Sequence, residues 1–122
     1  NVKAEITVTI KQLKTPKVEV FFGGLKAKTG EKDWVDAIKA GKAKVTVTNG
    51  SGKSLTLTYN PGGPGSNVNN TYAVNTGNSF EFYVEGTKVG DVFAIEVEGY
   101  KTVKAVANNN SVRPSFDSPI VE

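Results

Sequence analysis

The sequence has 122 residues, of which 38% are hydrophobic and 22% are charged, and its formal net charge is +3. This length fits one domain with one hydrophobic core, here residues 1–122, and the composition is too apolar for a disordered chain. The sequence contains no His, Cys or Met. That absence excludes His- or Cys-dependent catalysis, disulfide bonds, and metal sites built from thiolates or imidazoles.

The first segment of the chain alternates between polar and apolar residues. Lys3, Glu5, Thr7 and Thr9 take every second position and would share the polar face. Alternation with a period of two predicts a strand. The opposite, apolar face of this strand consists of Val2, Ala4, Ile6, Val8 and Ile10.

One short helix is predicted over about residues 31–40. It begins at Glu31, where the helix dipole favours a negative charge, and it ends before Gly41. Trp34 and Ile38 are four residues apart and would lie on one face. We expect the helix to form only if Trp34 is buried, because it is short.

Short alternating runs separated by turn residues fill most of the remaining chain. Asn49-Gly50, between two of these runs, is the strongest hairpin signal in the sequence. Residues 60–71, which are rich in Pro, Gly and Asn, predict a loop that is too long for a tight turn. The tail, residues 108–122, is irregular but carries apolar side chains, so we expect it to dock on the domain. About seven or eight such strands predict an all-β sandwich or barrel. The expected strands lie near residues 18–22, 43–48, 55–59, 72–74, 80–84, 91–97 and 102–106.

Two segments carry a family resemblance. Residues 33–38 (DWVDAI) lead into the strand at residues 44–47, and residues 90–101 (GDVFAIEVEGYK) come near the end of the fold. With these motifs, residues 18–106 resemble the haemoglobin-interacting, immunoglobulin-like domains of Gram-positive cell-surface proteins. In that family a short helix with a leading aromatic residue precedes a strand, and a strand ending in Gly-Tyr-Lys closes the sandwich. The resemblance implies a single immunoglobulin-like β-sandwich on a surface protein, and it identifies no binding residue in this chain.

Charge is distributed unevenly along the sequence. Residues 1–60 carry 11 basic and 5 acidic side chains, a balance of +6, whereas residues 61–122 carry a balance of −3. This asymmetry favours head-to-tail contact between copies of the chain, and the alternative is a mixed surface without functional meaning. Most lysines alternate with Thr or Glu, and Arg113 is the only arginine. We therefore expect no nucleic-acid partner.

Tyrosines are the candidate ligand contacts. Tyr59, Tyr72 and Tyr83 could form a platform on which a sugar ring stacks. The alternative is that they are core or rim residues. Tyr83 is the best candidate for a ligand contact, because its neighbours Phe80, Phe82 and Val84 suggest that this strand divides its side chains between two faces.

Three N-glycosylation sequons fall in predicted loops. They begin at Asn49, Asn69 and Asn109. Attachment of a glycan needs such an exposed position, although a chain rich in Asn also contains sequons by chance.

We expect a protein without catalytic residues, cofactor or metal. The carboxylate pairs Glu81/Glu85 and Glu96/Glu98 each share one strand face, but the sequence supplies no cleft for them. No stretch approaches the roughly 20 apolar residues of a transmembrane helix, so we expect no membrane span. Because the sequence begins at Asn1 and has no Met, we expect a processed end, as after removal of a signal peptide, and the alternative is an end set by the choice of fragment.

Two functions remain open at this level. The first is an extracellular, cell-surface fibre subunit of the pilus type, a homopolymer in which residues 1–11 of one copy are donated as a strand to the next. Pairing of this strand within its own domain is the alternative to donation. The second function is a surface-protein module that binds haemoglobin or carbohydrate.

Overall fold

The structure is a computed structural model, and it describes residues 12–20, 26–62, 68–74, 79–109 and 115–122. Within these ranges the chain forms nine strands and one helix, α1, at Lys32–Lys39. The prediction of an all-β fold with one short helix is therefore confirmed. The strands are β1 at Val18–Val20, β2 at Lys26–Thr29, β3 at Ala43–Thr48, β4 at Ser54–Tyr59, β5 at Thr71–Val74, β6 at Ser79–Tyr83, β7 at Val92–Val97, β8 at Val103–Val106 and β9 at Ile120–Val121.

The nine strands form one curled sheet in the order β1-β2-β6-β5-β4-β3-β7-β8-β9. Neighbouring strands are antiparallel except β4 and β5, which are parallel and pair at Thr58↔Thr71 and Tyr59↔Tyr72. We call β1, β2, β6 and β5 the first half and β4, β3, β7, β8 and β9 the second half. The halves face each other, because the rings of Phe82 and Phe93 meet with centroids 5.3 Å apart. An immunoglobulin-like sandwich stays a prediction, since hydrogen bonds join both halves into one sheet.

Alternating side chains build the core between the two halves. In β3, Ala43, Val45 and Val47 are buried, whereas Lys44 between them is exposed. This is the burial pattern expected of a strand with one face on a core and one in solvent. The same pattern in β6 and β7 points Phe80, Phe82 and Phe93 into the core.

Helix α1 closes one end of this core. Trp34 and Ile38 are both 0% exposed, which meets the condition set by the sequence for this helix. The Trp34 ring contacts Phe80 edge to face, with centroids 6.1 Å apart. The helix ends at Lys39 with Ala40 as its C-cap, and Gly41 follows with a φ of +74°, a conformation that glycine adopts without a Cβ penalty.

The β3–β4 hairpin forms where Asn49-Gly50 predicted it, although its loop covers residues 49–53. The Asn49 side-chain oxygen accepts hydrogen bonds from the Ser51 and Lys53 backbone N–H groups, each at 3.0 Å. Gly52 takes the positive φ, +80°. The turn is therefore an Asx-type loop of five residues.

Candidate functional site

A narrow apolar recess lies between the two halves of the sheet, and the space in it that is wide enough for water is only about 10 Å³. Its lining is entirely hydrophobic and comes from both halves, mainly from strands near the two ends of the sheet order. The lining residues are Val18, Ala27, Phe82, Phe93, Ile95, Val103, Ala105 and Phe116. The space wide enough for water is about the smallest volume that holds one water molecule, so the recess takes an apolar side chain only if its walls move apart.

The C-terminal tail supplies one wall of the recess. Phe116 is 2% exposed, and an antiparallel bridge joins it to Ala107 just beyond β8. After this bridge the chain runs back along β8, where Val103 pairs with Val121 and Lys104 with Ile120. The tail is therefore docked on the domain over residues 115–122, and it ends as a short strand.

The strands at both ends of the sheet offer backbone to a further strand. Among the described residues, β1 pairs only with β2, and β9 pairs only with β8. Strand β9 is two residues long, and Ile120 in it is 59% exposed. Unpaired edges of this kind can accept an additional strand through backbone hydrogen bonds.

The segment that precedes β1 is anchored beside α1. The Lys14 N–H donates to the Gly99 carbonyl oxygen at 3.1 Å, and the Lys101 N–H donates to the Lys14 carbonyl oxygen at 2.8 Å. The Lys14 ammonium lies 3.0 Å from an Asp33 carboxylate oxygen and 5.5 Å from the centre of the Tyr100 ring. Residues 1–11, which we call the arm, therefore join the domain next to α1 and the β7–β8 turn.

Charges at this anchor reinforce one another. The Tyr100 hydroxyl beside Asp33, and then the Lys14 ammonium, lower the pKa of the Asp33 carboxyl to about 2. Asp33 in turn raises the pKa of Lys14. The side chains of Lys14 and Asp33 are 65% and 61% exposed, so solvent screens the pair. The anchor thus holds both groups ionised at neutral pH.

The predicted apolar strand lies outside the described residues. Its apolar face, Val2, Ala4, Ile6, Val8 and Ile10, stays a prediction. The described part of the chain begins at Gln12, two positions before the Lys14 anchor.

The three candidate tyrosines do not form one platform. Tyr72 is 1% exposed and donates its hydroxyl to the Ala43 carbonyl oxygen at 2.9 Å, so protein covers its ring. Tyr59 is half-buried and contacts the Tyr72 ring, with centroids 5.3 Å apart. Tyr83 is half-buried on the outer face of β6, where its hydroxyl donates to the Glu81 carboxylate. Only Tyr59 and Tyr72 are therefore brought together.

The three sequon asparagines are exposed in loops or turns. Asn49 lies at the start of the β3–β4 loop, and Asn109 follows the bridge at Ala107. The Asn69 side-chain amide donates to the Glu85 carboxylate at 3.2 Å. All three positions are accessible at the surface, as a glycan requires.

The sequence did not indicate several residues of the recess and the anchor. Ala27 lies between two lysines, and Phe116 lies in an irregular segment, so neither position has a strand pattern. The contact between Lys14 and Asp33 spans 19 positions, and no local pattern reports such a pair. The one available signal was the apolar character of the tail.

Comparisons with known proteins add no relative. No protein family, curated protein or solved structure matches this chain. Within the described ranges, no helix is long and apolar enough to span a membrane. The same ranges contain no group of three or more acidic side chains arranged to hold a metal ion.

Proposed function

We propose that this chain is a non-catalytic, extracellular fibre subunit, and that each copy donates its arm as a β-strand to the recess of the next copy. The observation that carries the proposal is the wholly apolar recess between two strand edges, in a chain whose arm has a wholly apolar face. Strand donation would satisfy both features at once, because the backbone would pair with an edge and alternate side chains would enter the recess as its walls move apart.

The length of the arm supports this arrangement. Nine extended residues at about 3.3 Å each span about 30 Å, which is comparable to the width of a small domain. The Lys14 anchor fixes the base of the arm beside α1, so an extended arm can leave its own domain and reach a neighbour. Burial of each Val or Ile side chain would stabilise the contact by about 1.5–3 kcal/mol before the cost of ordering the arm.

Charge does not set the direction of a contact between copies. Residues 1–60 carry +6 and residues 61–122 carry −3, but residues 103–122, which include β8, β9 and the tail, hold two basic and two acidic side chains, so the balance there is zero. Insertion of the arm into its own recess is the competing arrangement, and assembly state distinguishes the two.

The experiment pairs a donor variant with an acceptor variant. Ile6→Asp places a charge on the apolar face of the arm, and its control, Thr7→Asp, places the same charge on the polar face. Ala105→Trp fills the recess, and its control, Ala94→Trp, places the same ring on the outer face of the neighbouring strand β7. Light scattering and electron microscopy measure assembly, and circular dichroism verifies folding.

We expect the wild-type chain and both controls to form fibres, and each of the two test variants alone to remain monomeric. A mixture of the Ile6→Asp and Ala105→Trp variants should form dimers and stop there, because it contains one intact arm and one intact recess per pair. A wild-type chain that stays monomeric at high concentration, or a mixture without dimers, would overturn the proposal.

A ligand-binding module is the second candidate, and one contact favours carbohydrate as the ligand. The half-exposed Tyr83 ring and the Glu81 carboxylate lie together on the outer face of β6, which offers a stacking surface beside a hydrogen-bond acceptor. Tyr83→Ala should then abolish saturable binding of a glycan in calorimetry, whereas Tyr59→Ala should not. If neither a panel of glycans nor haemoglobin gives a heat of binding in calorimetry, this second candidate function is wrong.

A further inference from the structure

We propose that Asn49 is a site of spontaneous deamidation in the folded protein, a modification that is independent of the proposed fibre. Asn49-Gly50 is the only Asn-Gly pair in the sequence. Glycine after asparagine lets the following backbone nitrogen approach the side-chain carbonyl carbon, because no Cβ obstructs it. All five residues of the loop 49–53 are exposed, so water and base reach the pair.

The structure of the loop favours the attack. The Gly50 N–H donates no hydrogen bond within the described residues, so its proton is available to solvent base. The Asn49 Oδ1 atom accepts the N–H groups of Ser51 and Lys53, each at 3.0 Å. This oxygen becomes the oxyanion when the backbone nitrogen attacks. Two fixed N–H donors at that oxygen therefore stabilise the tetrahedral intermediate, as they do in an oxyanion hole.

The reaction needs only water. The Gly50 nitrogen loses its proton to base and bonds to Asn49 Cγ, while the carbonyl electron pair moves to Oδ1. The intermediate then expels Nδ2, which takes a proton and leaves as ammonia, and a five-membered cyclic imide remains. Water adds to one of the two imide carbonyls and the ring C–N bond breaks, which gives either aspartate or isoaspartate. One water is consumed and one ammonia is released.

The two products differ in their effect on the hairpin. Aspartate keeps an oxygen that accepts the Ser51 and Lys53 N–H groups, and its charge strengthens both bonds. Isoaspartate inserts one additional carbon into the main chain between Thr48 and Gly50. The insertion disturbs the Thr48↔Ser54 pair, where the two hydroxyl oxygens lie 2.8 Å apart.

Peptide mapping by mass spectrometry tests the proposal on the unglycosylated, folded chain in mildly alkaline buffer. We expect a gain of about one mass unit in the peptide that contains Asn49, before any gain at Asn69 or Asn109, and a faster gain at higher pH. Gly50→Ala is the matched control, because a Cβ there meets nothing within 4 Å and Gly50 has no positive φ. It should keep the fold and slow the gain several-fold.

A second measurement uses the same chain unfolded in urea. We expect Asn49 to deamidate in the folded chain at least as fast as in the unfolded chain, because the loop positions the oxyanion donors. Deamidation only in urea would show that the loop protects Asn49 and would overturn the proposal. An equal rate in Gly50→Ala would overturn it as well.

Discussion

Phe116 packs edge to face against Phe93 of β7, with ring centroids 5.1 Å apart and ring planes at 89°. The contact joins the C-terminal tail to the middle of the second half, and both rings line the recess. The tail is therefore part of the core and of the candidate assembly site together. Its removal would change both the stability of the domain and the shape of the recess.

Phe116→Ala should reduce the free energy of unfolding by about 3–5 kcal/mol, because it opens a cavity in place of a buried ring. Urea denaturation followed by circular dichroism measures this change. Ile120→Ser, at a position 59% exposed in the same tail, is the control and should change stability little. If both variants lost the same free energy of unfolding, the contact between Phe116 and Phe93 would contribute no more to stability than an exposed residue of the tail.

Tyr72→Phe should reduce the free energy of unfolding by about 1 kcal/mol at neutral pH, because the hydrogen bond to the Ala43 carbonyl is lost. The variant should also change how the free energy of unfolding depends on pH in the alkaline range. Burial, and then the neighbouring Tyr59, raises the pKa of Tyr72 from 10.0 to about 12. The folded state therefore retains a proton that the unfolded state releases, and stability falls as the pH rises from about 10 to about 12. Tyr72→Phe has no phenol group at this position, so this loss of stability with rising pH should be absent from the variant. Urea denaturation at several pH values across that range would show the difference.

Asp33→Asn should weaken the anchor of the arm at neutral pH and leave it unchanged in strong acid. The pKa of Asp33 is lowered from 3.8 to about 2 in the folded chain, so its contribution to stability is complete above about pH 4. That contribution is lost as the pH falls towards 2. The difference in the free energy of unfolding between the wild type and Asp33→Asn should therefore decrease to zero as the pH falls from about 4 to about 2. Asp36→Asn, an exposed position on the same helix, is the control.

Gly41→Ala should destabilise the domain by about 1 kcal/mol, because alanine resists a positive φ. The Gly41 φ is +74°, and an added Cβ would meet the Tyr59 ring at 3.6 Å, an ordinary contact. Backbone strain is therefore the expected cause. Gly50→Ala, at a glycine without positive φ, should be neutral in the same thermal unfolding experiment.

Strong local patterns predicted most elements of the fold correctly. The runs around Val45, Val92 and Val103 alternate over several residues, and Trp34 and Ile38 mark the buried face of α1. Each of these signals lies within a few neighbouring positions. They identify an element but not its partner in the sheet.

Features that depend on distant partners could not be predicted. In strand β2, Ala27 is buried and stands between two lysines in the sequence, so the strand has no alternating pattern, and it forms because β1 and β6 pair with it on both sides. The parallel pairing of β4 with β5 depends on the long connection around residues 60–71, whose composition indicates only a loop. The recess could not be predicted from the sequence for the same reason, since the residues that line it come from both halves of the sheet.

The anchor at Lys14 also constrains the order of events during synthesis. Its backbone partners, Gly99 and Lys101, are translated more than eighty residues later. An emerging chain cannot close this contact until most of the domain has left the ribosome, and long-range pairing of this kind slows folding. The arm, with its apolar face, therefore emerges more than eighty residues before the segment that completes the anchor beside it, and throughout that interval it is attached to a chain in which this contact is not yet formed.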